Sequence, residues 1–437
     1  MAPASQQLSV VVLGGGTVGA EVVRLLDTEG EDLAARVGAR LVVTGVGVRD
    51  AARERPGIPR ELISDDLQAL LDSGPDLVIE LIGGIDPARE LILGALKRGA
   101  SVITANKALI ATSGPALHAA AQEAGVDLYY EAAVAGAIPL LRPLRESLAG
   151  DRINRVLGIV NGTTNFILTQ MEASGASFAD ALAEAQRLGY AEADPTADVA
   201  GQDAAAKAAI LASIAFHTRI TLDDVDTEGI TEISAQDVAA AREIGFDIKL
   251  LAIAERIQTA EGAGVCVRVR PTLVPRTHPL AGVRDAFNAV YVEAESAGQV
   301  MFYGRGAGGA PTASAVLGDV VVAARNRLVG ATGPGESSYA DLRVLPIGAS
   351  RTAGFLHLRV RDQSGVLAAV AGEFAENNVS IRSLNQREGG GGDAGAELLL
   401  LTHPALESDL SRTVTRLREL PVVEEVLGTM RVIEEGR

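Results

Sequence analysis

Cysteine is almost absent: the 437-residue chain has one, Cys266. A lone thiol cannot close an intramolecular disulfide, so a disulfide scaffold is excluded and a reducing cytoplasm is the expected compartment. Cys266 also sits in the alternating run Val265-Cys266-Val267-Arg268-Val269-Arg270, a strand pattern that argues against a nucleophile. Basic residues are scarce as well. Lys plus Arg number 39 against 56 Asp plus Glu, a net charge of −17. A non-specific nucleic-acid binder needs a basic face to neutralise phosphates, so that class is excluded. The acidity itself is read as a solubility feature. No run reaches the ~18 uncharged apolar residues of a membrane span. The start of the chain, MAPASQQLSVVVLGGG, lacks the basic segment of a secretion signal. The five histidines are scattered and offer no zinc-ligand spacing. What is present, 47% hydrophobic and 22% charged residues, matches folded globular chains. The length suits roughly three domains of about 150 residues.

The first strong feature is the apolar run Leu8–Leu13, followed at once by Gly14-Gly15-Gly16-Thr17-Val18-Gly19 and then a helical pattern through Val18, Val22, Leu25 and Leu26. Strand, G-x-G-x-x-G and helix in that order form the dinucleotide fingerprint in its required context. Gly14 permits the tight turn, Gly16 lets the backbone approach a pyrophosphate, and Gly19 lets helix pack on strand. The helix start, at Thr17 and Val18, offers unpaired N–H groups to the phosphates. Further strands are predicted at Leu41–Val48, Leu77–Ile82, Ser101–Thr104 and Val126–Tyr130, with helices near 61–72, 87–98 and 114–124. This alternation predicts an α/β, doubly wound parallel sheet of Rossmann type, with its ligand beyond the strand carboxyl ends. The second strand ends Val48-Arg49-Asp50. An acidic residue there suits the ribose of NAD, whereas Arg49, backed by Arg53 and Arg55, suits the 2′-phosphate of NADP. NADP is favoured, with NAD as the alternative.

Beyond about residue 140 charges enter otherwise apolar patterns. Residues 331–350 are rich in Gly, Pro and Ser and read as a linker. The tail then reads strand 354–360, helix 365–377, strands 379–385 and 396–402, helix 408–420 and strand 422–432. That βαββαβ order predicts a separate ferredoxin-like module, with a glycine loop at Gly389–Gly392. The expected division is residues 1–140, completed by about 305–330, as the dinucleotide-binding domain. An α+β catalytic and dimerisation domain spans 141–304, and the tail module spans 351–437.

The densest polar cluster follows Gly189: Glu192, Asp194-Pro195, Asp198, Asp203 and Lys207. Asp194 before Pro195 reads as a helix cap. Asp203 and Lys207, four apart, share one helix face. Their helix is otherwise so apolar that it should be buried all round. Charges inside it are costly unless paired or functional, which points to chemistry. On an unbroken helix Asp198 lies off that face, and geometry assigns it no role.

The segment from Ala185 to Lys207, AQRLGYAEADPTADVAGQDAAAK, resembles the signature of the homoserine dehydrogenases. Thr104-Ala105-Asn106-Lys107, Asn161-Gly162-Thr163-Thr164-Asn165-Phe166 and Gly304-Arg305-Gly306-Ala307-Gly308 agree with it, so the resemblance covers about residues 8–325. Gly15 departs from the family, which more often has a larger residue there. The resemblance implies reversible, NAD(P)H-dependent reduction of L-aspartate 4-semialdehyde to L-homoserine, on the route to threonine, methionine and isoleucine. It implies Lys207 as proton donor and Lys107 beside nicotinamide and substrate, as the two catalytic residues. Glu192, Asp198, Asp203 and Lys207 would bind substrate. Gly14, Gly16, Thr17, Val18, Gly19, Arg49, Thr104, Lys107 and Gly308 would bind cofactor. Two ammonium groups near one site would lower each other's pKa.

The same resemblance implies a monovalent cation, sodium or potassium, bound by Glu131, Val134, Gly136 and Ile138. Oxygen ligands of that kind suit a hard cation. The tail, through Val360–Leu367, resembles an ACT domain, which implies amino-acid sensing with threonine as effector between paired tails of a homodimer or homotetramer. No aspartate-kinase region precedes the fingerprint, so a monofunctional enzyme is expected. The competing readings are a dehydrogenase of a related amino-acid semialdehyde and a non-enzymatic sensor of dinucleotide and amino acid. The presence of both lysines and both carboxylates weighs against the sensor.

Overall fold

Six short strands supply the frame of the amino-terminal region: β1 (Gln7–Leu13), β2 (Arg40–Gly47), β3 (Ile63–Ser64), β4 (Leu77–Glu80), β5 (Ser101–Thr104) and β6 (Leu128–Tyr129). In the computed structural model, which describes residues 6–388 and 395–434, they form one parallel sheet in the order β3-β2-β1-β4-β5-β6. Strands β4 and β5 are buried along their whole length, as a parallel sheet covered on both faces requires. Its helices are α1 (Thr17–Thr28), α2 (Gly30–Val37), α3 (Leu67–Asp72), α4 (Ala88–Lys97) and α5 (Lys107–Ala124).

Two helix starts differ from the sequence pattern. The sequence pattern placed a helix near 114–124, yet α5 begins at Lys107 and carries Pro115 inside it; the Asn106 side chain accepts the Leu109 N–H and caps its first turn. The stretch read as one helix over 61–72 instead gives β3 and then the short α3, capped by Asp66.

The chain divides into two compact units. The first comprises residues 1–154, 209–222 and 292–341, the second residues 155–208, 223–291 and 342–437. Elements of the second begin with β7 (Ile153–Ile159), α6 (Gly162–Ser174), α7 (Phe178–Arg187), α8 (Thr196–Val199) and α9 (Gln202–Phe216), whose last turns belong to the first unit. They continue with β8 (Val225–Thr227), α10 (Ala235–Glu243), β9 (Phe246–Thr259), β10 (Gly262–Pro275) and β11 (Phe287–Ala294). The chain then returns to the first unit with β12 (Gly298–Arg305) and α11 (Gly309–Val329). There α11 buries Ala313, Val316, Val320 and Ala324 in the same core as Val22, Val23 and Leu26 of α1.

The tail adds β13 (Arg343–Val344), β14 (Arg351–Val360), α12 (Val366–Glu376), β15 (Ile381–Glu388), β16 (Ala396–Thr402), β17 (Ala405–Leu406), α13 (Glu407–Glu419) and β18 (Val423–Val432). Residues 389–394, with the predicted glycine loop, lie outside the described residues. Strand β14 pairs antiparallel with β16 and β18, and β16 with β15, the sheet of a ferredoxin-like module. It is not a free-standing sheet. Thr272 and Leu273 of β10 pair in parallel with Arg431 and Val432 of β18, so one mixed sheet runs β11-β7-β9-β10-β18-β14-β16-β15. The stretch read as a linker contributes as well: β13 pairs with Gly264 and Val265, and Leu345 is buried against β10. The fold is thus α/β: a Rossmann-like parallel sheet and a mixed sheet that runs into a carboxyl-terminal ferredoxin-like module.

Cys266 sits on β10 with both faces covered, and burial pushes its thiol up to about 11. Lys249 of β9 is more costly. Only 2% exposed, it donates to Asn165 Oδ1 at 3.1 Å and the Val283 carbonyl at 2.6 Å. Asn165, on α6, in turn donates to the carbonyls of Val283, Asp285 and Phe287. Burial lowers the Lys249 ammonium to about 8. Unfolded, a lysine holds its proton up to about pH 10.4, so between these values the unfolded state binds the extra proton and stability rises with pH. Relative to Lys249→Met, the native protein should therefore gain about 1 kcal/mol per pH unit between pH 8 and 10. Urea unfolding of both proteins at pH 7, 8.5 and 10 checks this; a stability difference that does not change with pH contradicts it.

Candidate active site

Strand β1 delivers the chain to the glycine turn, where the Gly14 N–H donates to the Gly47 carbonyl at 2.8 Å. Gly14 has φ 116°, and a Cβ there would lie 2.6 Å from the Leu81 carbonyl oxygen. A Cβ on Gly19 would stand 1.8 Å from the Gly14 carbonyl oxygen, so only glycine allows α1 to pack this close to the turn. The result is a cleft of about 800 Å³ lined by Gly14 to Thr17, Val48, Arg49, Arg53, Arg55 and Leu81 to Gly83. It lies beyond the carboxyl ends of β1, β2 and β4, and the amino end of α1 opens on it.

Where β2 ends, Arg49 is exposed and lines the cleft, whereas Asp50 turns Oδ1 back to the Ala52 N–H at 2.9 Å. Arg55 Nη1 donates to the carbonyls of Asp50 and Arg53, both at 2.8 Å. The unusual Gly15 makes room for that arginine: a Cβ would approach Val48 Cγ1 to 2.8 Å and Arg55 Cδ to 3.0 Å. Gly308, φ 124°, caps α11, and a Cβ on the next residue, Gly309, would lie 3.0 Å from Thr17 Cγ2.

The far wall rests on a residue the sequence pattern did not single out. Glu80, fully buried at the end of β4, accepts N–H groups from Ile82 and Gly83 and the Thr104 hydroxyl at 2.5 Å. Thr104 Oγ1 also accepts the Asn106 N–H, and Asn106 Nδ2 donates to the Gly84 carbonyl at 2.6 Å. Glu80 thereby locks the loops after β4 and β5, and the second of these sets Lys107 in the first turn of α5. Its signal was a carboxylate inside the apolar run Leu77–Ile82.

After β6 the backbone bends through two left-handed residues, Ala135 (φ 58°) and Gly136 (φ 55°), and a Cβ on Gly136 would meet the Gly306 carbonyl oxygen at 2.4 Å. The Glu131 carboxylate is buried and accepts backbone N–H groups of Leu140, Leu141 and Arg142 at 2.5, 2.7 and 2.9 Å. Behind it Asp319 accepts the Glu131 N–H, and burial pushes its carboxyl up to about 7. No group of three or more His, Cys, Asp or Glu side chains that could hold a metal ion occurs among the described residues. A cation here would be held mainly by main-chain carbonyls of Glu131, Val134, Gly136 and Ile138, since three amides already occupy the carboxylate.

In the second unit the polar cluster closes on itself. Lys207 Nζ donates to Asp203 Oδ2 and to the Val160 carbonyl, each at 2.6 Å, and both side chains are buried. Asn161 Nδ2 donates to the same Asp203 oxygen at 2.9 Å and to Asp198 Oδ1 at 2.7 Å. Asp198 joins because the helix is not continuous: α8 ends at Val199, Gly201 takes φ 83°, and α9 starts at Gln202. Asp194 sits one residue before the α8 cap, Pro195, and its Oδ1 accepts the Thr196 N–H and hydroxyl. Beside this cluster Thr163 donates to the Tyr190 carbonyl at 2.7 Å, and the Tyr190 ring lies 4.8 Å from that of Phe166. Glu192 is exposed on the loop between α7 and α8, and Gln186 holds its backbone carbonyl. The structure thus gathers Asp198, Asp203 and Lys207 through Asn161. Glu192 stays at the rim, and Lys107 belongs to the first unit.

Comparison with known proteins gives a consistent result. Family models match residues 139–321 (homoserine dehydrogenase), 14–131 (homoserine dehydrogenase, NAD binding domain) and 356–422 (ACT domain). The chain is 57% identical over 434 residues to the homoserine dehydrogenase of Mycobacterium tuberculosis, covering 98% of each chain. It is 56% identical over 427 residues to that of Corynebacterium glutamicum, covering 97% of this chain and 95% of the other. Among solved structures, a homoserine dehydrogenase from Thiobacillus denitrificans superposes with a TM-score of 0.92 at 39% identity, over 98% of this chain and 99% of that one. A hyperthermophilic archaeal homoserine dehydrogenase in complex with NADPH matches with a TM-score of 0.62 at 28% identity, over 76% of this chain and all of that one.

Asn161 caps α6 by accepting the Thr164 N–H and bridges two carboxylates. Asn161→Ala should therefore cost about 2–4 kcal/mol, one part for the cap and the rest for buried carboxylates left short of a donor. Asn161→Asp keeps the capping oxygen but sets a third carboxylate beside Asp198 and Asp203. Its added pKa is raised in the folded state, so its extra cost should shrink as pH falls from 7 to 5. Chemical denaturation of the three proteins at both pH values decides the point; an Asp variant with a pH-independent cost contradicts the bridging role.

Proposed function

The chain belongs to the homoserine dehydrogenase family, and from that premise we propose how its own residues carry the activity. It is an oxidoreductase that interconverts L-aspartate 4-semialdehyde and L-homoserine with a nicotinamide dinucleotide, which decides against the sensor reading. The observation that carries the assignment of roles is the Lys207 ammonium, buried in an apolar helix and held by Asp203 and the Val160 carbonyl.

When bound, the dinucleotide supplies or receives the hydride. The chain's task is to place it and to manage charge and proton. The amides of the Gly14–Gly19 turn and the start of α1 hold the pyrophosphate, with Gly308 and Thr104 lining the path to the nicotinamide. Arg49 meets the 2′-phosphate, which makes NADP the preferred cofactor; supporting this, Asp50 is turned onto its own loop. Two of the three protons of Lys207 are fixed by Asp203 and Val160. The third is directed to the aldehyde oxygen, stabilising the growing alkoxide and passing to it. Lys107 stands beside nicotinamide and substrate. Glu192 and Asp203 take the substrate's ammonium, and Asp198 steadies that group through Asn161. The carbonyls of Glu131, Val134, Gly136 and Ile138 hold sodium or potassium, which would stiffen the turn against Gly306.

We divide the chain into the dinucleotide-binding domain 1–140, completed by 305–330, the catalytic and dimerisation domain 141–304, the connector 331–350 and the regulatory domain 351–437. Threonine is the proposed effector, in the cleft bounded by Val360–Leu367 and Gln386, and the assembly a cytoplasmic homodimer or homotetramer. No helix of the described residues is long and apolar enough to cross a membrane.

Lys207→Ala should lower kcat at least ~10²-fold while NADPH binding persists. Aspartate-semialdehyde-dependent NADPH oxidation, followed at saturating substrate beside a cofactor titration, provides the measurement. Near-native turnover in that variant would remove Lys207 from the mechanism.

Arg49→Ala should raise KM for NADPH by about tenfold or more and leave that for NADH nearly unchanged, because only NADPH carries the 2′-phosphate. Initial rates with each cofactor test it, and equal changes would mean that Arg49 does not read that group.

A further inference from the structure

A second cavity, of about 340 Å³, lies within the first unit and away from the dinucleotide cleft. One wall is α5, the second is the last turns of α9 and the loop after it, and the third is the segment Pro334–Tyr339. That third wall is pinned in place. Arg219 pairs bidentately with Glu336 at 2.9 and 2.8 Å, His217 bonds Ser337 and stacks on Tyr339, and Arg145 donates to the Gly335 carbonyl at 3.0 Å. The volume falls in the range of small-ligand pockets.

The charge inventory of the cavity is unbalanced. Glu336 is matched by Arg219. His118 contributes no charge at neutral pH, because burial, aided by the Arg145 charge, pushes its imidazole down to about 4, and its Nε2 is engaged with the Tyr130 hydroxyl at 3.1 Å. Arg145 remains, its guanidinium 5.4 Å from the Tyr130 ring centroid, with a backbone carbonyl as its hydrogen-bond partner and no ion pair among the described residues. The apolar share of the lining includes Ile110, Ile210, Ile214 and Ile220. A cation with no direct ion pair among the described residues, felt by Glu336 only at longer range, calls for one negative charge, and the isoleucines call for a hydrocarbon body. A phosphate would need more than one positive group. An amino-acid zwitterion would bring an ammonium for which no free carboxylate is left, since Arg219 holds Glu336.

We propose that this cavity is a binding site for a small apolar monocarboxylate, its carboxylate on Arg145 and its hydrocarbon part among the isoleucines. Its walls are α5 and the last turns of α9, both within the first unit.

Calorimetric titration of the full-length protein, saturated with homoserine and without dinucleotide so that no turnover occurs, tests the proposal without relying on the catalytic assignment. The probes are 4-methylpentanoate, its neutral amide and leucine, which share a carbon skeleton. The carboxylate should bind with a Kd of roughly millimolar or tighter, and the amide and leucine at least about tenfold more weakly. Arg145→Met should weaken 4-methylpentanoate about tenfold or more. Ala111→Leu, which adds bulk to the cavity wall from α5 and leaves the Arg145 side chain itself unaltered, should do the same, and both variants should keep dehydrogenase activity. Absence of binding at 20-fold above ~1 mM, equal binding of the amide or of leucine, or unchanged binding in both variants would each overturn the proposal.

Discussion

One oxygen atom organises the catalytic half of this molecule. Asp203 Oδ2 accepts from both Lys207 and Asn161, at 2.6 and 2.9 Å, and through Asn161 it is tied to Asp198 and to the cap of α6. A lysine in so apolar a helix would otherwise shed its proton or leave the core, because burying an unpaired ammonium costs several kcal/mol. The carboxylate makes the ammonium tolerable; the amide of Asn161 makes the carboxylate tolerable beside Asp198. The Val160 carbonyl, one residue from Asn161, then fixes the direction of Lys207. Remove any one member and an unsatisfied buried group remains, so the residues behave as a unit whose single-site effects do not add.

The first unit solves a related problem differently. Two of its buried carboxylates, Glu80 and Glu131, are satisfied mainly by backbone amides rather than by cations, whereas Asp319 pairs with Arg142. A carboxylate that gathers several N–H donors acts as a template for a turn: the donors must converge, and the loop that carries them loses its freedom. Glu80 shapes the loops after β4 and β5 in this way, and Glu131 shapes the turn that reaches Gly306. The cofactor cleft is therefore rigid at its floor, through glycine contacts that no side chain could enter, and rigid at its wall, through Glu80. At the mouth Arg49 is exposed, while Arg55 is held by the carbonyls of Asp50 and Arg53.

Much of this was legible in the residues. The glycine turn announced itself because strand, turn and helix each carry a separate periodic signal. The tail's six elements were legible for the same reason. The start of α5 was not, because Pro115 is a strong local signal and the cap at Asn106 outweighs it only once Thr104 and Gly84 are in place to hold that asparagine. Asp198 was misplaced by assuming one helix; the break at Gly201 is a left-handed residue that a single glycine in an alanine-rich run does not advertise. Glu80 and Asn161 hold no motif position of their own. Their roles arise from which backbone groups converge on them, and convergence is a property of the fold.

The junction with the tail was the least legible, since the sheet that crosses it depends on strands some 160 positions apart, as the pairing of Thr272 with Arg431 and of Leu273 with Val432 illustrates. Two physical consequences follow. Strand β10 has its outer edge covered in turn by β13, β8 and β18, so the tail protects the stretch at Thr272 and Leu273, which would otherwise present open N–H and C=O groups. The tail is also braced electrostatically: Arg387 of β15 pairs with Glu243 of α10 as well as with Glu397, and Glu407 draws Arg270 of β10 as well as Arg431. From β10 the same sheet continues through β9, where Lys249 grips Asn165 of α6, the helix that Asn161 caps. Contiguity alone does not couple two sites; an effector must favour one of two arrangements of the elements between them. A sheet shared by the tail and by the strand that holds α6 is well suited to that, because a shift in the twist of one strand is passed to its hydrogen-bonded neighbours. It also means that deleting the tail uncovers part of the β10 edge. A substitution confined to the cleft at Val360–Leu367 therefore separates sensing from structure more cleanly than truncation does.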